Sequence, residues 1–417
     1  MDTVDRHLQP RLERALERSR VVMLHGARQC GKTTLSQMLV KARGGAYISL
    51  DDEIHRQALL NDPMSYLTSQ QRPLVIDEVQ LGGDRVVRSV KQLVDADPAP
   101  GRFLLTGSTN FLTVPNISES LAGRIQLFGL WPFSEAELAR TRADIIDRWF
   151  QGDPGLIPTE SLTKDDYLEL ICRGGYPAVV NSDPDERRDW LQSYVETVIR
   201  RDVAQLADIR KAASLPLLLR WAAALTSNQI NVSAAARDLE ISHPTAVSYL
   251  DWLQTVFLLH EIPAWSRSLW PKAARRPKFH LTDTGLAARL LGLGPDALAS
   301  PTSPATGPLL ESFTVNEIIR QLGADPKGRS LWHYRDRQNH EVDLVLEGED
   351  GKVVAVEIKA TSSPALSHID SLRWLRNKLD AVNPGSFVAG ILLHTGTHCV
   401  SLGDRLHMRP INSLWSD

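Results

Sequence analysis

Gly26, Gly31, Lys32 and Thr33 stand in the spacing G-x-x-x-x-G-K-[ST], a pattern suited to holding phosphate. The glycines let the chain turn tightly enough for backbone N–H groups to wrap an anion. The positive end of the following helix adds to that field. Ala27, Arg28, Gln29 and Cys30 fill the loop, and Thr34 carries it into TLSQMLV, a helix pattern. Lys32 is placed to bridge β- and γ-phosphates, and Thr33 offers a hydroxyl to Mg²⁺. A metal-bound triphosphate also needs carboxylates, and PLVIDEVQ supplies Asp77 and Glu78 at the end of an apolar run. Asp77 is the expected Mg²⁺ partner through water, and Glu78 the group that polarises the attacking water. RFLLTGSTN ends in Thr106, Ser108, Thr109 and Asn110, which either sense the γ-phosphate or simply make a turn. Arg124, in SLAGRIQLF, is the candidate guanidinium for charge developing on the transferred phosphoryl oxygens; an ordinary surface arginine is the alternative.

A second set of acids lies near the end of the chain. GPLLESFTVNEIIRQL reads as an amphipathic helix carrying Glu311 and Glu317, and Asp343 follows in HEVDLVLE. Fourteen residues later comes Glu357-Ile-Lys359 in VVAVEIKA. On a strand, Glu357 and Lys359 share one face while Ile358 points to the other. Carboxylates with a Glu-x-Lys on neighbouring strands can bind Mg²⁺ and activate water for phosphodiester cleavage. Asp343, Glu357 and Lys359, with Glu311 from the helix, look like the PD-(D/E)XK nuclease core. Active cleavage and an inherited fold whose acids serve structure or a partner are both open.

Positioning the first set requires a strand–loop–helix unit within a parallel sheet. VVMLH, AYISL, PLVIDEV, RFLLTGS and IQLFGL alternate with helical patterns, and continuous apolar runs suit strands buried on both faces. The fold class is α/β, with a P-loop core expected over 1–155 and led by a helix carrying Leu8, Leu12 and Leu16. QGDPGLIPT near 150–160 reads as a linker. Residues 156–226 read as a helical lid in which Gly174–Gly175 make a turn before Tyr176–Pro177. Residues 227–299 read as a winged helix: Ser233 caps one helix, Ile241–Ser242 turn, and Pro244 opens the next. Leu239, Val247, Leu250 and Leu253 are its expected shared core. SRSLWPKAARRPKFHL is the expected wing, with Lys272, Arg275, Arg276 and Lys278 clustered in it. SPTSPATGP marks a further boundary before a nuclease-like α/β domain over 305–417.

The order of these segments resembles the AAA+ ATPases. More narrowly, the chain resembles the prokaryotic predicted ATPases that carry a C-terminal domain of unknown function with a nuclease-like fold. The likeness is carried by GARQCGKTT, IDEVQ, LLTGS, SLAGRI, GGYPAVV, YVETVIRRDVAQL, KFHLTDTGLAARLL, RDRQNHEVDLVLE and VEIKA, which span nearly the whole chain. It implies ATP rather than GTP, and a lid after the core.

Bulk properties limit the partners. The 417 residues exceed what one hydrophobic core normally supports, so several domains are expected. The net charge of −3 gives no global case for nucleic acid, so DNA contact needs a local basic face. Residues 201–290 carry eleven Lys/Arg against seven Asp/Glu, a local net of +4. DNA binding through the winged helix is therefore one expectation; the other is a module that packs internally, its cations a solvated face. Cys30, Cys172 and Cys399 are far apart, which suits a reducing cytoplasm. The charged first twenty residues do not read as a signal peptide, and no apolar run approaches the roughly 18–20 residues that span a bilayer. An arginine acting on a neighbour's nucleotide would require a homo-oligomer.

Overall fold

A computed structural model of the chain describes residues 4–109, 121–199, 214–266, 276–338 and 340–416. The chain divides into two compact units, Asp5–Pro132 with Gln254–Leu258, and Met1–Val4, Phe133–Leu253 and Leu259–Asp417. The boundary expected near residue 155 falls at Pro132 instead, because the segment from Phe133 onward bonds into the second unit: Phe133 N donates to Gly175 O at 2.7 Å.

In the first unit the five apolar runs become strands β1 (Val21–Gly26), β2 (Ala46–Ser49), β3 (Leu74–Asp77), β4 (Phe103–Gly107) and β5 (Ile125–Leu130). They form one parallel sheet in the order β2-β3-β4-β1-β5. Side-chain alternation splits the core into two layers. Val22, Leu24, Val75 and Leu104 face helices α1 (Gln9–Leu16) and α2 (Lys32–Arg43), meeting Leu12, Leu16, Leu35 and Leu39. Val21, Met23, Ile76 and Leu105 face α3 (Gly83–Ala96), meeting Val86, Val87, Val90 and Val94. Burial on both faces is why these strands read as unbroken apolar runs. A parallel sheet also brings the carboxyl ends of β1, β3 and β4 to one edge, where the chemically interesting residues lie.

The second unit opens with the short helix α4 (Glu135–Leu138), followed by α5 (Lys164–Arg173), α6 (Pro184–Thr197) and α7 (Leu215–Ala224). The expected linker over 150–160 lies inside this unit, between its helices. α5 ends at Gly174, whose φ of 66° and a hypothetical Cβ only 2.3 Å from Asp283 Oδ1 exclude a side chain there. Asp283 accepts from Gly175 N at 2.7 Å and from Leu286 N at 2.9 Å, so one carboxylate ties the GGYP turn to the cap of α10 (Thr284–Leu291). The two helices of the expected helix-turn-helix are there, as α8 (Val232–Asp238) and α9 (His243–Thr255). The cap of α8 is Asn231, which accepts from Ser233 N and Ala234 N; Ser233 is its first-turn donor rather than the cap. Of the expected shared core, Leu250 and Leu253 are buried, Leu239 is half-buried and Val247 is 38% exposed; Ala246 and Tyr249 of α9 are buried instead. Strands β6 (Asn228–Gln229), β7 (Leu259–Ile262) and β8 (Lys278–Leu281) form an antiparallel sheet in the order β6-β8-β7. Lys272 and Arg275 of the expected wing lie outside the described residues.

The remainder forms a mixed sheet flanked by α11 (Thr306–Ala324) and α12 (Asp370–Asp380). Its strands are β9 (Ser330–Arg335), β10 (Glu341–Glu347), β11 (Val353–Lys359), β12 (Phe387–His394), β13 (Val400–Ser401) and β14 (Leu406–Pro410). Their order is β13-β14-β12-β11-β10-β9, antiparallel across β9-β10-β11 and parallel from β11 through β12 to β14. Among the described residues, no helix is long and apolar enough to cross a membrane.

Glu317 on α11 is fully buried and accepts from Glu135 N at 2.8 Å, Ala136 N at 3.3 Å and Gln321 Nε2 at 3.1 Å. Burial pushes its carboxyl up to about 7 against the pull of Arg320. A folded-state value above the unfolded one means that its contribution is present below about pH 4.5 and lost as pH rises through about 7. The stability of wild type relative to Glu317→Gln should therefore fall by on the order of 3 kcal/mol between pH 5 and pH 8.5. Urea titrations at the two pH values measure it, and a gap that does not move would rule the assignment out.

Candidate functional site

The loop after β1 is built by close packing as much as by sequence pattern. Gly26 has a φ of 155°, and a Cβ on it would lie 2.1 Å from Leu130 O, so the neighbouring strand leaves room for glycine alone. Lys32 opens α2 and is 5% exposed, its Nζ donating to Gly26 O at 3.0 Å and Ala27 O at 2.8 Å. The ammonium is thus held directly over the loop. Arg6, which the sequence reading did not single out, fastens the loop from outside: Nη1 donates to Cys30 O at 2.9 Å and Nη2 to Trp131 O at 2.5 Å. His25, just before the loop, is driven down to about 4 by burial and then by Lys32, and stays neutral. Phe257, in the segment that belongs to this unit, meets its ring edge-on at 5.2 Å.

Asp77 is 3% exposed and accepts from three hydroxyls. Thr33 Oγ1 donates to Oδ2 at 2.8 Å, Tyr47 Oη to Oδ2 at 2.6 Å, and Thr106 Oγ1 to Oδ1 in a close contact. Burial and then the Asp77 carboxylate push the Tyr47 hydroxyl well above its ordinary range. Thr33 and Asp77 therefore sit side by side, and the hydroxyl and carboxylate oxygens are the hard donors that Mg²⁺ requires. The residues fit the ion. Tyr47 was not legible in advance, because only the strand order puts β2 beside β3.

Glu78 follows at φ 54°, ψ 46°, left-handed backbone that a residue with a side chain adopts only when its surroundings impose it. Its N–H donates to Thr106 Oγ1 at 3.3 Å, and its carboxylate accepts from Ser108 Oγ at 3.3 Å and from Gln80 Nε2. Of the polar run after β4, Thr106 thus holds the Asp77–Glu78 corner and Ser108 aims Glu78. Asn110 lies outside the described residues.

Arg124, for which a role at a nucleotide and an ordinary surface position were both open, lies away from the loop after β1 in its own chain. It precedes β5 at the amino edge of the sheet: its neighbour Ile125 pairs with Val21, whereas Gly26 pairs with Leu130. Five strand steps, about 16 Å, separate those ends. Its guanidinium is partly exposed and engages Asp95 in a two-pronged ion pair, with Nη2 3.0 Å from Oδ2.

The second candidate site also differs from expectation. The register Leu344↔Val356 brings Asp343 and Glu357 to adjacent strands, and Lys359 Nζ donates to Glu357 Oε1 at 2.5 Å. Between the acids, however, lies Lys278 from β8, 4% exposed, its Nζ 2.8 Å from Glu311 Oε1, 2.9 Å from Glu341 Oε1 and 3.5 Å from Asp343 Oδ1. Burial opposes this charge, but Asp343, Glu311 and Glu341 outweigh it and raise the lysine's pKa. Burial and then Asp343 push Glu311 up to about 7 and Glu357 up to about 8. Among the described residues, no three acids, histidines or cysteines are spaced to hold a metal ion. Asp343 and Glu357 lie on adjacent strands and Glu357 pairs with Lys359, while Glu311 and Asp343 face the Lys278 ammonium rather than forming a metal-ligand set. Lys278 is also not part of a solvated basic wing.

Three family profiles match the chain in succession. One described as "AAA domain" covers residues 18–139, and domains of unknown function, DUF8612 and DUF4143, cover 164–297 and 306–414. The uncharacterized protein Rv2008c of Mycobacterium tuberculosis is 32% identical over 357 residues, which is 86% of this chain and 74% of that protein. The uncharacterized protein MJ1544 of Methanocaldococcus jannaschii is 24% identical over 353 residues, 81% of this chain and 74% of that one. Among solved structures, the Walker-type ATPase PABY2304 of Pyrococcus abyssi aligns with 69% of this chain and 96% of its own, at 17% identity and a TM-score of 0.44.

Proposed function

The chain belongs to the AAA-type ATPases and to the same family as the mycobacterial protein Rv2008c, and from that premise we propose that it is a Mg²⁺-dependent ATPase working as a nucleotide-controlled switch. The observation that carries the ATPase reading is the convergence of Lys32, Thr33, Asp77 and Glu78 at one sheet edge. Lys32 is placed to neutralise the β- and γ-phosphates of ATP, and the amino end of α2 adds its dipole. Thr33 and Asp77 would hold Mg²⁺, which supplies charge stabilisation to the phosphate oxygens. Glu78, fixed by Ser108 and Gln80, orients and polarises the attacking water.

The switch reading draws on the second unit. Helix-turn-helix plus hairpin is the plan of a winged helix, yet the exposed positions of α9 (His243, Pro244, Val247 and Asp251) include no lysine or arginine. Phosphate contacts dominate DNA affinity and need cations. Lys278 is buried against carboxylates, which supports a tail of nuclease-like topology that does not cut in this state. The basic stretch before β8 favours the second reading, a DNA-processing enzyme. ATP turnover with and without Mg²⁺ and plasmid DNA, read beside sedimentation with ADP and ATP, separates the two. Turnover that requires Mg²⁺, ignores DNA and accompanies an ATP-dependent change of oligomeric state is expected. Several-fold stimulation by DNA would overturn the switch reading. Arg124 serves a neighbour's nucleotide if Arg124→Ala loses turnover only in the assembled form.

A further inference from the structure

Four carboxylates from three elements converge in the tail: Glu311 on α11, Glu341 and Asp343 on β10, and Glu357 on β11. Residues 341 and 343, like 357 and 359, alternate onto one sheet face, and the β10–β11 register sets the pairs against each other. Lys278 and Lys359 lie among these acids, and Arg335 Nη1 approaches Glu341 Oε2 at 3.7 Å from the rim, so fully ionised the cluster still carries a surplus of negative charge. Glu357 is 5% exposed, and its Oε2 has no hydrogen-bond partner among the described residues, so the site retains unused ligand capacity. At 2.8–3.5 Å from three carboxylates, the Lys278 ammonium sets those oxygens at hydrogen-bond spacing, wider than the roughly 2.0–2.6 Å of a Mg²⁺ or Ca²⁺ shell.

We propose that Lys278 is a built-in occupant of this acidic site, excluding a divalent cation for as long as β8 lies against the tail. Metal entry then requires the Lys278 ammonium to leave these carboxylates. The inference rests on the nuclease-like reading of the tail, whose acids it treats as a latent metal site, and it adds the device that keeps that site metal-free.

The test is Mn²⁺ binding to the nucleotide-free full-length chain, followed by the electron paramagnetic resonance of free Mn²⁺. Removing a fixed positive charge beside the ligands should let Lys278→Ala bind one Mn²⁺ roughly a hundredfold more tightly than wild type. Adding Asp343→Asn should abolish the gain, which separates this site from the phosphate loop. Wild type that already binds as tightly in an Asp343-dependent manner, or a folded Lys278→Ala chain that gains nothing, overturns the proposal. If the single variant unfolds, Lys278→Met with Glu341→Gln removes one charge of each sign, so the net charge matches wild type, and keeps three carboxylates for the same measurement. Plasmid cleavage by Lys278→Ala with Mn²⁺ addresses the nuclease reading separately. Binding without cleavage upholds the plug and removes the nuclease.

Discussion

Lys32→Ala should leave a folded chain whose ATP turnover has fallen by about 10²–10³-fold or more, with nucleotide affinity reduced alongside it. The side chain is 5% exposed, and its ammonium is fixed by Gly26 O and Ala27 O rather than waving in solvent. A preorganised cation costs no reorganisation when charge shifts on the transferred phosphoryl oxygens, which is why losing it is expensive. Folding should survive, because the layers on either side of the sheet are built from Val22, Leu24, Leu35 and Leu39 on one side and Met23, Ile76 and Val90 on the other. Phosphate release measured beside a melting curve checks both halves. Wild-type turnover in a folded variant would remove the phosphate-loop assignment.

What could be read from the sequence follows from how local each signal is. The loop from Gly26 to Thr33 is one continuous turn, and PLVIDE is one strand with acids at its end, so spacing alone revealed both. Tyr47 and Arg6 act on the same loop and carboxylate through partners 30 and 24 residues away, and no local period marks them. The helix-turn-helix was legible from its turn and Pro244, but its details were not. Asn231 and Ser233 are both good capping residues, and only the backbone says which one accepts. Val247 shows the limit of apolar pattern on a 13-residue helix, where it lies one position off the stripe formed by Ala246, Leu250 and Leu253. Arg124 was singled out by residue type, but the strand order puts it at the wrong end of the sheet for its own loop. Lys278 was counted among wing cations because its neighbours Arg275 and Arg276 are basic, whereas its partner Glu311 lies 33 residues on.

Glu78→Gln should separate binding from hydrolysis, with ATP affinity kept and turnover lowered by about 10²–10⁴-fold. Lys32, Thr33 and Asp77, which we propose hold the phosphates and the ion, are untouched by this change. The substitution is nearly isosteric and retains an amide oxygen to accept from Ser108 Oγ and Gln80 Nε2, so the corner at φ 54° has the same supports. What disappears is the negative charge that, in the proposed mechanism, draws a proton from water as the new bond to phosphorus forms. A filter-binding or fluorescent-nucleotide titration should therefore superimpose on wild type while phosphate release collapses. Equal turnover would mean that another base acts, and the strained backbone at Glu78 would then need a different explanation. The contrast with Lys32→Ala gives the pair its value. One variant empties the site and the other holds ATP in it, so any property of the second unit that follows nucleotide occupancy will persist in Glu78→Gln and vanish in Lys32→Ala. A property that follows turnover will be lost from both.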